Sequence, residues 1–348
     1  MRKSIITVTL LFFITFLLTQ FISSCKKVLS IPGVHLLTPE QPDNFPPPLY
    51  NFANNPLSEE GFQLGRKLFY DTRLSADTEV SCGTCHQQIA AFGTYNHDLS
   101  HGVHHSHTER NAPVLFNLNW YPSFHWDGRF DNLQDEAVQP ITGVLEMGET
   151  FQRIKNKIKD DPEYQRLFKQ VFNTSEIQPI YILRALEQFT GSLISSDSKY
   201  DQYKKGLATF TTQEADGYVV FTTHCAGCHK EPLFTDNSYR NIGLPKNNHL
   251  NDNGRMSVTG LSSDSLKFKV PTLRNCYKSN NYMHDGRFGT LQQVIQHYRF
   301  GVQQSPTLDP ALTNGIQMTN TEADDLFKFL QTLTDFSFLN NPRFAKPD

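Results

Sequence analysis

The sequence predicts a mostly helical fold built from two related domains with long loops, the second a duplicate of the first. Three observations point there. An Asp-Gly-Arg-Phe turn occurs twice, in FHWDGRF (124–130) and YMHDGRF (282–288), with Asp127 and Asp285 standing 158 positions apart; a repeated motif implies a repeated structural unit. A C-x-x-C-H pattern also occurs twice, as CGTCH (82–86) and CAGCH (225–229). Few runs alternate apolar and polar residues, whereas several segments carry apolar residues at helical spacing.

Length and composition agree with two domains. A chain of 348 residues is long for one core and suits two on length alone. Apolar residues make up 38% and charged residues 19%, enough to bury cores and too few charges for a disordered polyelectrolyte. The net charge of −3 is spread over interspersed acids and bases, so the basic stripe of a nucleic-acid binder is missing.

The elements follow in order. Residues 1–24 have a basic MRK head, an apolar run from Ile5 to Ile22 and small residues before Cys25, the layout of a secretory signal. A single membrane anchor is the alternative, since the run approaches the roughly 18 residues that a span needs. Ile-Ser-Ser-Cys looks like the lipobox of bacterial lipoproteins, which favours an exported chain acylated at Cys25. Residues 25–56 carry seven prolines and read as a semi-extended tether. The first domain then covers 57–205 and the second 206–348. Thr211 and Glu214 stand at capping-box spacing and predict a helix start before the second C-x-x-C-H. Ile182, Leu186, Phe189 and Leu193 predict one amphipathic helix, and Leu326, Phe329, Leu330 and Leu333 another.

The cysteines carry the chemistry. Composition gives about 0.004 chance matches to C-x-x-C-H in a chain of this length, and two are present. Two thiols on one helical turn can add to the two vinyl groups of a haem, and the adjoining histidine is then held against the iron. A redox disulfide needs no histidine there, and tetrahedral zinc needs more ligands. Cys82, Cys85, Cys225 and Cys228 are therefore expected to attach two haem c groups, with His86 and His229 as proximal ligands. The class becomes two cytochrome-c-like haem domains. Cys276 reads as a small buried hydrophobe.

With LFYDTRLS, RNAP, WDGR, LEMG, VPTLRN and YMHDGRF in place around the two haem motifs, the chain resembles the bacterial dihaem cytochrome c peroxidases and the related MauG protein, over roughly residues 50–340. The resemblance implies two haem domains, hydrogen peroxide as substrate, and a small electron donor such as a cytochrome c or a cupredoxin. It implies a periplasmic location, consistent with a lipid-anchored exported chain, and it admits a homodimer.

The resemblance also assigns residues. Glu146, twenty positions after Trp126 and followed by Met147, is the expected acid–base residue at the N-terminal, peroxidatic haem, and Trp126 the electron relay between the haems. Glu136 stands where the family usually has glutamine, so its place in the pocket is open. In NHDLSHGVHHSHTERNAP, His101 is the candidate distal ligand that gates the first iron, and the loop also holds His97, His104, His105 and His107. At the second haem, Tyr298 lies fourteen positions after His284, where many members have methionine and MauG has tyrosine. Met283, Met318 and His297 are competitors off that position. A calcium ion is implied at Asn111 and the carbonyls of Ser279 and Asn281, with Ser-Asn-Asn replacing the usual Thr-x-Pro. Two rivals to the peroxidase remain: a MauG-like oxidase acting on a protein, and a dihaem electron carrier with no chemistry of its own.

Overall fold

Each half is built on a crossing of two helices at a glycine. The computed structural model describes residues 33–95 and 97–347; the export segment expected at 1–24 and the acylation site Cys25 lie outside them. Helix α1 (Glu59–Tyr70) starts at Ser58, whose side chain accepts from Gly61 N, and has Glu59 and Glu60 in its first turn, where the helix dipole favours acids. It packs against α2 (Pro179–Thr190), the helix predicted from the spacing of Ile182, Leu186 and Phe189. In the second half α3 (Thr212–His224), opened by the Thr211–Glu214 capping box, packs against α4 (Asn320–Gln331). A Cβ on Gly65 would stand 1.9 Å from the Ala185 carbonyl, and one on Gly217 would stand 1.9 Å from that of Asp325. The close approach exists because neither residue has a side chain. Phe189 and Phe329 fill the two crossings and are fully buried, worth about 1.5–3 kcal/mol each.

The turns repeat with the same geometry. Phe124 N donates to Phe130 O at 2.7 Å and Tyr282 N to Phe288 O at 2.8 Å, closing the two DGRF loops. Arg129 clamps Asp127, and Arg287 clamps Asp285. Gly128 and Gly286 have φ of +69° and +68°, and a Cβ on either would strike the opposite half, at the Tyr239 hydroxyl or the Asp98 carbonyl. Asn117 and Asn275 are both left-handed, and their amides donate to Leu193 O and Leu333 O at 2.8 and 3.0 Å.

The halves meet along a seam with two-fold logic. Asn111 N donates to His284 O at 2.8 Å, and Lys269 N donates to Trp126 O at 2.7 Å; both donors and both acceptors are related by the 158-residue offset. The sheet structure is slight: β1 (Tyr239–Arg240) pairs antiparallel with β2 (Phe268–Lys269), Tyr239 opposite Lys269. Arg110 bridges Asp127 of the first turn and Asp252 of the second half. Burial alone would raise Asp127, but the hydrogen bond from Arg129 and the Arg110 charge hold it down to about 2.

Two segments pack away from their neighbours in sequence. The proline-rich stretch is extended, yet from residue 35 it is fastened down and is no free tether. Phe45 packs edge-on to Trp120 at 5.0 Å, Trp120 Nε1 donates to Pro46 O, and Asn44 reaches Asp201. Apolar and polar anchors between the prolines outweigh the stiffness of the tract. At the other end, Phe338 and Phe344 join the core of the first half, and Tyr200 joins that of the second. Among the described residues no helix is long and apolar enough to cross a membrane.

Replacing Gly217 with Val drives a side chain into the Asp325 backbone and is expected to cost about 1–3 kcal/mol or more, read as a lower denaturant midpoint. Gly289→Ala, where the added Cβ meets nothing nearer than Gln293 Oε1 at 3.8 Å, serves as the control and should stay near wild type.

Candidate active site

Both C-x-x-C-H segments end helical turns, and Cys225, Cys228 and His229 of the second line a cavity between the halves. None of the four cysteines forms a disulfide. His86 Nδ1 donates to the Phe92 carbonyl at 2.9 Å. His229 Nδ1 is shared between the carbonyls of Phe234 and Pro271 at 3.2 and 3.1 Å. A proton fixed on Nδ1 leaves Nε2 as the free donor to a metal, and burial lowers both imidazoles, favouring the neutral form that ligates. One cavity of about 300 Å³ runs from Pro113, Leu118 and His125 in the first half to His229, Pro271 and Tyr298 in the second. Paired thiols and a tautomer-fixed imidazole in each half, with an apolar cavity against the second, fit two haem c groups.

The far side of the first cleft holds two carboxylates. Glu146 sits on a turn held by Glu146 N to Gly143 O at 2.9 Å and Val103 N to Glu146 O at 2.8 Å. Its carboxylate accepts from Gln139 Nε2 at 2.9 Å and acts electrostatically on the Cys82 and Cys85 thiols. Burial raises the Glu146 carboxyl, and the neighbouring Glu136 adds to the rise against His125 and Gln139. Glu136 is therefore in the pocket, the point that sequence left open. Burial would raise it too, but the His125 ring draws it below the ordinary range. His125 Nε2 stands 3.4 Å from Glu136 Oε1, an ion-pair distance without hydrogen-bond alignment. The sequence reading missed His125, although its place beside Trp126 in FHWDGRF was a visible signal.

The histidine loop lies at the rim of this cleft. Ser106 Oγ reaches Leu145 O at 3.2 Å, and the Cys85 thiol reaches His101 O at 3.8 Å. The His101 ring itself is exposed, stacked on His97 at 4.0 Å with His107 edge-on at 4.6 Å. It stands outside the cleft in this conformation.

Between the clefts, Trp126 Nε1 donates to the Asn111 carbonyl at 2.8 Å. Asn111 is buried; its Nδ2 lies 2.8 Å from Asn281 O, and its Oδ1 is buried without a partner. Ser279 O already accepts from the Tyr282 hydroxyl at 2.7 Å. Tyr298 lies on a π-turn (His297–Gly301), lines the second cleft, and is electrostatically coupled to Cys225 and Cys228. His297 Nε2 lies 2.9 Å from Ile242 O and is thereby engaged. Met283 and Met318 also line the cavity. Cys276 packs at the edge of the second core, where burial pushes its thiol up to about 12.

Two C-x-x-C-H turns, each with its histidine fixed through Nδ1, in a helical two-domain chain, define a dihaem c-type cytochrome. A family model described as di-haem cytochrome c peroxidase matches residues 59–209, and one for cytochrome c matches 214–334. The chain is 33% identical to the methylamine utilization protein MauG of Methylorubrum extorquens over 84% of this chain and 82% of that one. It is 32% identical to cytochrome c551 peroxidase of Nitrosomonas europaea over 85% of each. A solved MauG-like protein associated with microbial copper homeostasis superposes with a TM-score of 0.82 at 32% identity, covering 88% of this chain and 98% of that one. The chain belongs to the dihaem cytochrome c peroxidase and MauG family. It is a peroxidase-type oxidoreductase of a family that carries two haem c groups.

Glu136 and Glu146 repel each other across the first cleft. Glu136→Gln removes that repulsion, lowers the pKa of Glu146 and keeps its carboxylate ionised to lower pH. The acid limb of the kcat/KM profile is expected to move to lower pH, measured with peroxide at constant ionic strength.

Proposed function

We propose that this protein reduces hydrogen peroxide to water at the N-terminal haem, with electrons from a small redox protein such as a cytochrome c or a cupredoxin entering through the C-terminal haem. The observation that carries the reading is Glu146, half-buried within electrostatic reach of Glu136 and the Cys82 and Cys85 thiols, with its carboxyl raised by burial. Peroxide reduction takes two electrons and two protons and releases two waters. Bound haem c supplies the electron transfer and the coordination site. Glu146 takes a proton from the near oxygen of peroxide and returns it to the far one, so the leaving group departs as water. Gln139 orients the carboxylate, and its raised pKa brings it nearer the pH at which a shuttle must both accept and release. Trp126, tied to Asn111 in the seam, is the electron relay of this reading.

His86 and His229 would hold the two irons, and Tyr298 is our assignment for a second ligand to the C-terminal haem. A phenolate there lowers the potential and favours oxidised states. That feature, with the MauG relatives, supports a second reading: an oxidase acting on a protein substrate. His101 is assigned as the gating ligand, its ring withdrawn in the conformation described. Asn111, with the carbonyls of Ser279 and Asn281, is assigned to a calcium ion; an orphaned buried amide oxygen beside a carbonyl suits a hard cation that also takes waters. Internal duplication accounts for the repeated seam, and export with a lipid at Cys25 suits a periplasmic, membrane-held enzyme.

Stopped-flow mixing with peroxide, followed by reduced donor, tests the main reading. Turnover with a small donor is expected; a long-lived oxidised protein that ignores such donors favours the MauG-like reading, and no reaction with peroxide leaves an electron carrier. Glu146→Gln should lower kcat/KM for peroxide by about 10²–10⁴-fold with haem content unchanged. His101→Gly should remove any need for pre-reduction. The oxidised protein should lack a methionine–iron charge-transfer band, and finding one would unseat Tyr298.

A further inference from the structure

The seam contains two positions related by the repeat, and they are filled differently. On one side Asn111 donates its backbone N–H to His284 O, and its neutral amide lies against Asn281 O. Shifted by 158 positions, Lys269 donates its backbone N–H to Trp126 O, and its Nζ donates to Ser123 O. The backbone frame is the same. One half presents an amide with a spare oxygen, and the other a lysine amine.

That amine is placed in a costly position for a charge. Lys269 lines the cavity beside the first cleft, with Nζ 5.3 Å from the Tyr121 ring centre and 5.9 Å from that of Phe124. Among the described residues no carboxylate forms an ion pair with it; Glu136 and Asp127 act only at longer range. Burial pulls the ammonium down to about 7, against the pull of those two acids. A buried ammonium with one carbonyl and two ring faces is under-compensated, and packing alone needs no charge here, since methionine has a similar reach. A haem carries two propionate carboxylates, and a carboxylate is the partner that forms a strong, charge-assisted hydrogen bond with a buried ammonium.

We propose that Lys269 is a built-in cation of the haem seam: its ammonium takes a propionate carboxylate of the N-terminal haem, at the position that the repeat relates to the Asn111 cation site. The inference rests on the two-haem reading. Lys269 is a positioning and charge-setting residue that touches neither peroxide nor iron. A fixed positive charge beside a haem favours its reduced, more electron-rich state, so losing the charge lowers the midpoint potential.

The test is spectropotentiometric titration of the haem-loaded wild type beside Lys269→Arg, Lys269→Gln and Lys269→Met, each checked for two haems per chain. The expected result is a negative shift of one haem's midpoint in the Gln and Met variants, with the Arg variant holding the wild-type value. Identical midpoints in all four proteins overturn the proposal. So does an Arg variant that shifts as far as Met, because the effect is then one of shape. A wild type with fewer than two haems overturns the two-haem reading and the inference with it. Calcium titration of chelator-treated wild type is a separate readout: no uptake removes the Asn111 assignment, while the lysine series is still decided by the potentials.

Discussion

The reciprocal exchange of backbone hydrogen bonds across the seam is the constraint on which the rest depends. Asn111 N bonds to the turn of the second half and Lys269 N to the turn of the first, at 2.8 and 2.7 Å. Each half supplies a donor just before its Pro-containing loop and an acceptor in its DGRF turn. Neither half can rotate without breaking both bonds. The cavity between the halves is thereby held, and Trp126 and His284, at equivalent positions of the repeat, both line it. The turn glycines serve the same end, since a side chain at Gly128 or Gly286 would hold the halves apart. The charges at the seam are paired: Asp127 is fully buried and answered by Arg110 and Arg129, and removing one partner would leave an uncompensated charge inside.

The first cleft combines opposing electrostatic effects. Burial pushes both Glu136 and Glu146 toward the neutral form, but His125 stands beside Glu136 and only Gln139 hydrogen-bonds Glu146. The two carboxyls are therefore driven apart in pKa, Glu136 lowered and Glu146 raised. Separation of that kind lets two like groups take different roles in one pocket. On the near side, carbonyls of Phe92, Phe234 and Pro271 fix the imidazole tautomers, so the loops that follow each C-x-x-C-H contribute to the iron site without touching it.

The halves are also stitched at the chain ends. The segment from residue 35 lies over Trp120 and Asp201, and the last aromatic residues return to the first core. Arg274 and Asp201, both fully buried, pair through two hydrogen bonds of 2.7 and 2.8 Å. By contacts, residues 35–348 behave as one unit. A boundary drawn along the sequence therefore does not coincide with one drawn through the packing, because local periodicity cannot report which core an end segment joins.

Sequence alone determined what depends on short, contiguous patterns. The capped helix at Thr211, the amphipathic α2 and α4, the two C-x-x-C-H turns and the paired DGRF loops were all legible, since each rests on residues a few positions apart. Glu146 and Tyr298 were reached only through the family resemblance; spacing by itself does not separate a cleft acid from a solvated one. Only the tertiary structure decided that Glu136 lines the cavity, that His125 stands against it, that the His101 ring is exposed, and that Lys269 Nζ reaches across to Ser123 O. Those facts depend on contacts between residues far apart in the chain, where burial and neighbouring charge are set by packing and leave no local trace.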